Sequence, residues 1–377
     1  MTRRVPLGRL LPALLALAVA IDVCGHILPT EWVAFRAWEV VTRYPLGEGH
    51  FTPNAHYVND RAFGDLAAIA NRPDWRSYHR EEFTVDAFGF RQNAAAVSTA
   101  SFNDVVIGDS FAAGSGLSDD ETLSAQLEIA TRRRVFNGGS LPIDLRHLEP
   151  LLDRLRLVNG VVFYEYLERD DLPSQRAVRT AAAVQSASVF KVLSLSAKAW
   201  EGLWRVCPLT IESQSLYKRF ENRGVFPDTS SSRVVEERLS AGSRMLFVPS
   251  EVANFTRARV MDLSGVLTLQ SALRARGVEL RVVLVPEKYT VYAPLLARPP
   301  AEPAALYLDA LEQRLHAADV PVVNLLPVFR RTAAADLVAG RSLYLADDTH
   351  WNAAGVRLAA ETIRARWPSL NSQPAVF

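Results

Sequence analysis

The sequence predicts an α/β fold with a five-stranded parallel sheet, and three observations carry that expectation. From Ser101 onward, short β-rich runs are followed by segments of helical period five times over, and such alternation makes a parallel sheet covered on both faces. The first run, Val105-Val106-Ile107, stops abruptly at Gly108-Asp109-Ser110. The last helical segment is preceded by the polar stretch Asp347-Asp348-Thr349-His350. Sheets of this kind gather their ligands at the carboxyl ends of the strands, so topology brings the two polar segments to one edge.

Taken in order, Arg3, Arg4 and Arg9 precede a mostly apolar run from Leu10 to Ile21 that Asp22 and His26 close. Positive residues before a short apolar stretch mark residues 1–29 as a signal anchor or signal peptide rather than part of the fold. Ala18-Val19-Ala20 would suit a signal peptidase and so secretion, but the run continues weakly to Leu28, reaching about 18 residues, near the lower limit for a membrane span. The anchor is the preferred reading. It predicts a single-pass protein of the cell inner membrane with its main domain on the periplasmic, extracytoplasmic side. Cys24 and Cys207 read as two unpaired thiols.

Residues 30–100 read as a stalk and wrapping segment, with an amphipathic stretch from Trp32 to Val41 followed by polar sequence punctuated by Gly and Pro. The main domain is expected over 101–370. Its strand candidates are Asp104 to Ile107, Arg134 to Asn137, Val161 to Tyr164, Leu280 to Val285 and Val320 to Asn324. Helix candidates are Asp120 to Arg133, Asp144 to Leu157, Ala258 to Arg276, Pro303 to Ala317 and Ala353 to Trp367. The alternation fails at about 173–248, read as a helical insertion with a serine-rich joint and a further helix beginning near Arg233. Within it, Trp200, Leu203 and Trp204 form either a buried stripe or a cap over the site.

Chemistry enters where a serine, a histidine and flanking acids share one edge. A serine hydroxyl is a poor nucleophile until a histidine takes its proton, and that histidine needs an acid to fix its tautomer and stabilise the imidazolium. Ser110 and His350 supply the first two parts, and Asp347 or Asp348 supplies the third. The backbone N–H of Ser110 is one donor for a tetrahedral oxyanion.

These segments resemble the SGNH, or GDSL-type, hydrolase superfamily. Gly108-Asp109-Ser110-Phe111 is similar to that family's first block, and Asp347-x-x-His350 to its last. Phe83-Thr84-Val85-Asp86-Ala87-Phe88-Gly89-Phe90-Arg91, Val285-Pro286-Glu287-Lys288-Tyr289-Thr290-Val291-Tyr292 and Asp348-Thr349-His350-Trp351 further resemble a membrane-attached subgroup akin to the alginate O-acetyltransferase proteins. The resemblance implies a three-layer, flavodoxin-like SGNH fold and acyl-ester chemistry. The superfamily spacing favours Asp347 as the partner of His350, whereas the Asp-x-His-Trp form favours Asp348. The resemblance also implies oxyanion donors from a glycine after the second strand, which here is Gly139 or is displaced by Pro142, a residue with no N–H to give, and from an asparagine after the third, where this chain has Asp170. An ionised carboxylate accepts hydrogen bonds but cannot donate them. Lys288 matches a recurrent subgroup feature and is a candidate for the site; Trp351 is a candidate sugar platform or a wall packed into the loop.

A net charge of +1 lacks the basic surplus that nucleic-acid binding usually shows. No zinc spacing, P-loop or dinucleotide fingerprint is visible, so the chemistry is expected to be free of cofactors and metals. The leading expectation is an exported serine acyl-ester hydrolase or O-acetyl transferase acting on an acylated cell-envelope glycan, with an acyl-donor membrane protein as a further partner. A glycan-binding or assembly factor that retains the fold without efficient catalysis is the alternative.

Overall fold

The computed structural model describes residues 35–39, 49–70, 72–93, 101–179, 234–257, 259–303 and 306–371, with a few positions between 12 and 20. Most of the apolar run from Leu10 and the whole segment 180–233, including Trp200, Leu203, Trp204 and Cys207, lie outside the described residues, as does Cys24. Among the described residues, no helix is long and apolar enough to cross a membrane.

The segment ahead of the main domain forms an antiparallel hairpin of β1 (His56–Ala62) and β2 (His79–Thr84), with a short helix, Asp65–Ile69, between them. An aromatic cluster of Trp38, Phe51 and Phe83 packs it together, with ring centroids 5.0–6.5 Å apart.

The main sheet comprises β3 (Asp104–Gly108), β4 (Val135–Gly139), β5 (Val161–Leu167), β8 (Glu279–Val285) and β9 (Val322–Asn324), while β6 (Val235–Arg238) and β7 (Arg244–Phe247) form a separate hairpin. Spatial order is β4-β3-β5-β8-β9 and every pairing is parallel. The fold class expected from the sequence is therefore observed in its five-stranded parallel α/β core. Each residue of β3, β4 and β5 is buried, the mark of a sheet covered on both faces. Helix Ala353–Arg366 packs on Leu123–Thr131, and Ser264–Ala275 packs on β8 and on the short helix Gln175–Arg179. At the far end of the sheet from the polar edge, Arg133 donates two hydrogen bonds of 2.6 and 2.7 Å to buried Asp104, fastening β3 to the chain entering β4.

The chain leaves β3 for an edge strand, then returns to β5 on the other side of β3. The strand order thus reverses between β3 and β5, and ligand sites of open α/β sheets form at such reversals. Ser110 follows β3 and Asp170 follows β5.

One expected helix is corrected. The chain near Arg233 forms β6 (Val235–Arg238) and β7 (Arg244–Phe247), an antiparallel hairpin. Glu, Arg and Leu there suit a helix, but Gly242 at φ 96° makes a turn that a helix cannot accommodate. Leu246 N–H then donates to the Ala346 carbonyl at 3.0 Å, tying this hairpin to the loop that carries His350. The sequence pattern also missed helices Lys288–Tyr292 and Leu326–Leu337.

Candidate active site

The turn after β3 is built by local chemistry. Asp109 caps the four-residue helix Ser110–Ala113 by accepting the Phe111 N–H at 2.7 Å, which leaves Ser110 at its first position, half-buried. A Cβ on Gly108 would lie 2.3 Å from Glu165 Oε2, and one on Gly139 would lie 2.2 Å from Ala113 N. Both glycines are therefore required for the serine helix to sit this close to its neighbouring strands. Arg91, 1% exposed, holds the following loop by donating to the carbonyls of Ala113, Gly114 and Leu117 and to Asp119.

His350 comes from the loop before the last helix, which Asn352 caps by accepting from Ala354 N and Gly355 N at 3.0 and 3.1 Å. Ser110 Oγ and His350 Nε2 are 2.8 Å apart, and His350 Nδ1 is 2.6 Å from Asp348 Oδ1. Asp348 also accepts the His350 backbone N–H at 2.9 Å. Burial works against its charge, but His350, the Arg36 guanidinium and the His350 N–H outweigh that and hold its carboxyl well below the usual range. The arrangement can carry a proton from Ser110 to an imidazole that a carboxylate orients.

Asp347, the other candidate acid, does not take part in this chain of hydrogen bonds. Its side chain turns away and accepts from Gly64 N and Ser77 N, each at 2.9 Å.

Burial and hydrogen bonds already made correct the expectations for Gly139 and Lys288 and decide between the two readings of Trp351. Gly139 N–H donates to Asn137 Oδ1 at 3.0 Å and so is not turned toward an oxyanion. Trp351 is fully buried between Phe111 and Phe329, at 5.5 and 6.5 Å, and forms a wall of the loop rather than a sugar platform. Lys288 is fully buried, and its Nζ donates to the carbonyls of Leu246, Leu345, Ala346 and Asp348 at 2.7–3.2 Å. It clamps the His350 loop from behind instead of meeting substrate. Lys288→Met, similar in length, is expected to destabilise the fold by about 2–4 kcal/mol because several buried carbonyls lose their donor. Urea titration checks this, and an unchanged midpoint would contradict the clamp.

Asp170 lies after β5 as expected, in an environment that the sequence did not disclose. Burial and then Asp109 push its carboxyl up to about 6, opposed by Arg169 and Arg259. Below about that pH the carboxyl is neutral and can donate a hydrogen bond; above it the ionised form can only accept. Beside it, the Arg169 guanidinium lies 5.6 Å from the Phe111 ring centroid and 3.5 Å from Glu251. Arg169 was not singled out from sequence, nor were Asp65 and Arg36, which lie beside Asp348.

This edge is rich in buried acids. Burial raises Glu168 to about 7, opposed mainly by the Glu287 N–H; it raises Glu251 to about 7, opposed by Arg169, and Glu287 to about 9, helped by Glu251 and Glu168. For a raised carboxyl the folded state binds more protons than the unfolded chain above the ordinary value, so stability falls as pH rises. From the unfolded values of 3.8 and 4.5 through the folded values of about 6 and 7, Asp170, Glu168 and Glu251 all act in that direction. Lys288, lowered by burial to about 8, opposes the trend only above that pH. The thermal midpoint is therefore expected to be lower at about pH 8 than at about pH 5.5, and scanning calorimetry showing a rise instead would contradict these assignments.

Ligating atoms of Asp65, Asp348 and His350 lie within 4.8 Å of one another, so these three could geometrically share a cation. Each already has protein partners in the hydrogen bonds around Asp348.

Fold and site together define an α/β protein with a serine, histidine and aspartate in line at the switch point of its sheet. Residues 249–375 match the family described as SGNH hydrolase-like domain, acetyltransferase AlgX, a stretch that includes Lys288, Asp348 and His350. The resemblance to SGNH hydrolases is thus shown over that part of the chain. A solved structure described as a carbohydrate acetylesterase family member from Sinorhizobium meliloti is similar at 10% identity and a TM-score of 0.29, over 72% of this chain and 100% of that one. Likeness at that level carries no argument. No curated protein matches.

Proposed function

We propose that this chain is a serine acyl-ester hydrolase or O-acetyl transferase acting on a cell-envelope glycan. The observation that carries the proposal is the continuous line of short hydrogen bonds from Ser110 Oγ through His350 to Asp348 Oδ1. Ser110 would attack the acyl carbonyl, with His350 taking its proton and later returning one to the leaving group or activating the acceptor. The family match over residues 249–375 supports acetyl-transfer chemistry. Export and attachment to the inner membrane through residues 1–29 belong to the same proposal and rest on the Arg-flanked apolar run.

Oxyanion support would come from the Ser110 N–H, one of the donors that helix geometry leaves without a partner in the helix. Asp170 in its neutral form and the neighbouring Arg169 are the groups on the β5 side that could add to it. The engagement of Gly139 N–H favours a second reading, a glycan-binding or assembly factor with weak turnover. Incubation with a chromogenic acetyl ester, with and without an oligosaccharide acceptor, separates the readings. Acetate release supports a hydrolase and acetylated oligosaccharide a transferase, whereas glycan binding without either product supports the binder.

A further inference from the structure

We infer that Asp65 and Arg36 are positioning residues for the Ser110 and His350 pair, so that the segment ahead of residue 101 completes the active site. The inference rests on the acyl-transfer reading and names residues that the main domain does not contain.

Asp65 N–H donates to Asp348 Oδ2 at 2.8 Å, which leaves Asp348 Oδ1 for His350. The Asp65 side chain accepts from Thr349 N and Thr349 Oγ1, each at 2.9 Å. Thr349 Oγ1 is in turn 3.1 Å from His350 Nδ1, and Asp65 Oδ2 is 4.0 Å from the same nitrogen. Two carboxylates therefore flank one imidazole nitrogen, one in direct contact and one through a threonine hydroxyl.

Two anions this close repel one another, and Arg36 moderates that repulsion. Its Nη1 lies 3.5 Å from Asp348 and 3.8 Å from Asp65. Burial and Asp348 push the Asp65 carboxyl upward, while Arg36, His350 and the Thr349 N–H pull it back. The charged groups around His350 are thus Asp348, Asp65 and Arg36, with Lys288 behind them on the Asp348 carbonyl. When His350 takes the serine proton, a cation forms beside both carboxylates, and Asp65 adds attraction at that moment without touching substrate. The docking of Gly64, Asp65, Ala67 and Ser77 on Asp347 and Asp348 follows the same logic. Ala67 N–H donates to the Asp347 carbonyl at 3.0 Å, so this segment fixes both backbone and side chains of the loop.

The test uses the full chain with Asp65→Asn, which keeps the shape and an acceptor for Thr349 but removes the charge, and Thr349→Val, which removes the bridging hydroxyl. Asp65→Asn is expected to lower kcat on an acetyl ester by about 10- to 100-fold with KM within about twofold. The rate of fluorophosphonate labelling of Ser110 should fall in parallel, and Asp65→Glu should recover part of both. A merely structural Asp65 would change the melting temperature but not these rates per folded molecule. Folded Asp65→Asn and Thr349→Val proteins that both label and turn over within about twofold of wild type would overturn the inference. The downfield NMR signal of the His350 Nδ1 proton gives a readout without turnover. It should broaden in both variants, and an unchanged signal would overturn the inference even if wild type hydrolysed no ester, an outcome that would instead defeat the acyl-transfer reading.

Discussion

Ser110→Ala is expected to lower acyl-ester turnover by at least about 10⁴-fold while leaving stability within about 1 kcal/mol of wild type. The Ser110 hydroxyl meets His350 at 2.8 Å, and alanine suits the first position of a helix whose cap, Asp109, is untouched. Loss of the hydroxyl therefore removes the nucleophile at the cost of a single hydrogen bond, the one to His350. Steady-state kinetics and calorimetry on the same preparation check both halves, and retained turnover would show that Ser110 is not the attacking group.

The second large effect separates two adjacent acids. Asp348→Asn should cost about 10³–10⁴-fold in kcat, since an amide beside His350 Nδ1 no longer enforces the productive tautomer or balances the imidazolium. Asp347→Asn should cost less than about tenfold, because the side chain of Asp347 holds Gly64 N and Ser77 N instead of His350. Equal losses in the two variants would mean that His350 does not depend on the Asp348 hydrogen bond. The comparison is informative because the two residues are neighbours of the same type, so a general effect of removing negative charge from the loop is common to both.

What was legible in the sequence follows from which signals are local. The strand Val161–Leu167 announces itself through the apolar run from Val161 to Tyr164, although it continues past Glu165 to Leu167, and the return to the sheet after each helix follows from chain topology. Gly108-Asp109-Ser110 and Asp348-Thr349-His350 carry recognisable chemistry in a few residues each. The direction in which a side chain points is not local. Lys288 and Trp351 stand where a site residue could stand, yet both face inward, one toward four carbonyls and the other between two phenylalanine rings. Asp65 shows the limit most plainly. It precedes Thr349 by 284 positions, in a segment whose composition suggested only a wrap, and the folded chain alone brings it to His350. The hairpin around Gly242 was missed for another reason, since Glu, Arg and Leu suit a helix there and the turn overrides that preference.

The central claim is that Ser110 is activated by His350 and Asp348 for attack on an acyl group. Intact-protein mass spectrometry after exposure to a fluorophosphonate, followed by peptide mapping, tests it most directly. The account predicts a single adduct on the peptide bearing Ser110, lost in His350→Ala as well as in Ser110→Ala. A folded wild-type protein that gains no adduct, or an adduct on another residue that survives both substitutions, would contradict it.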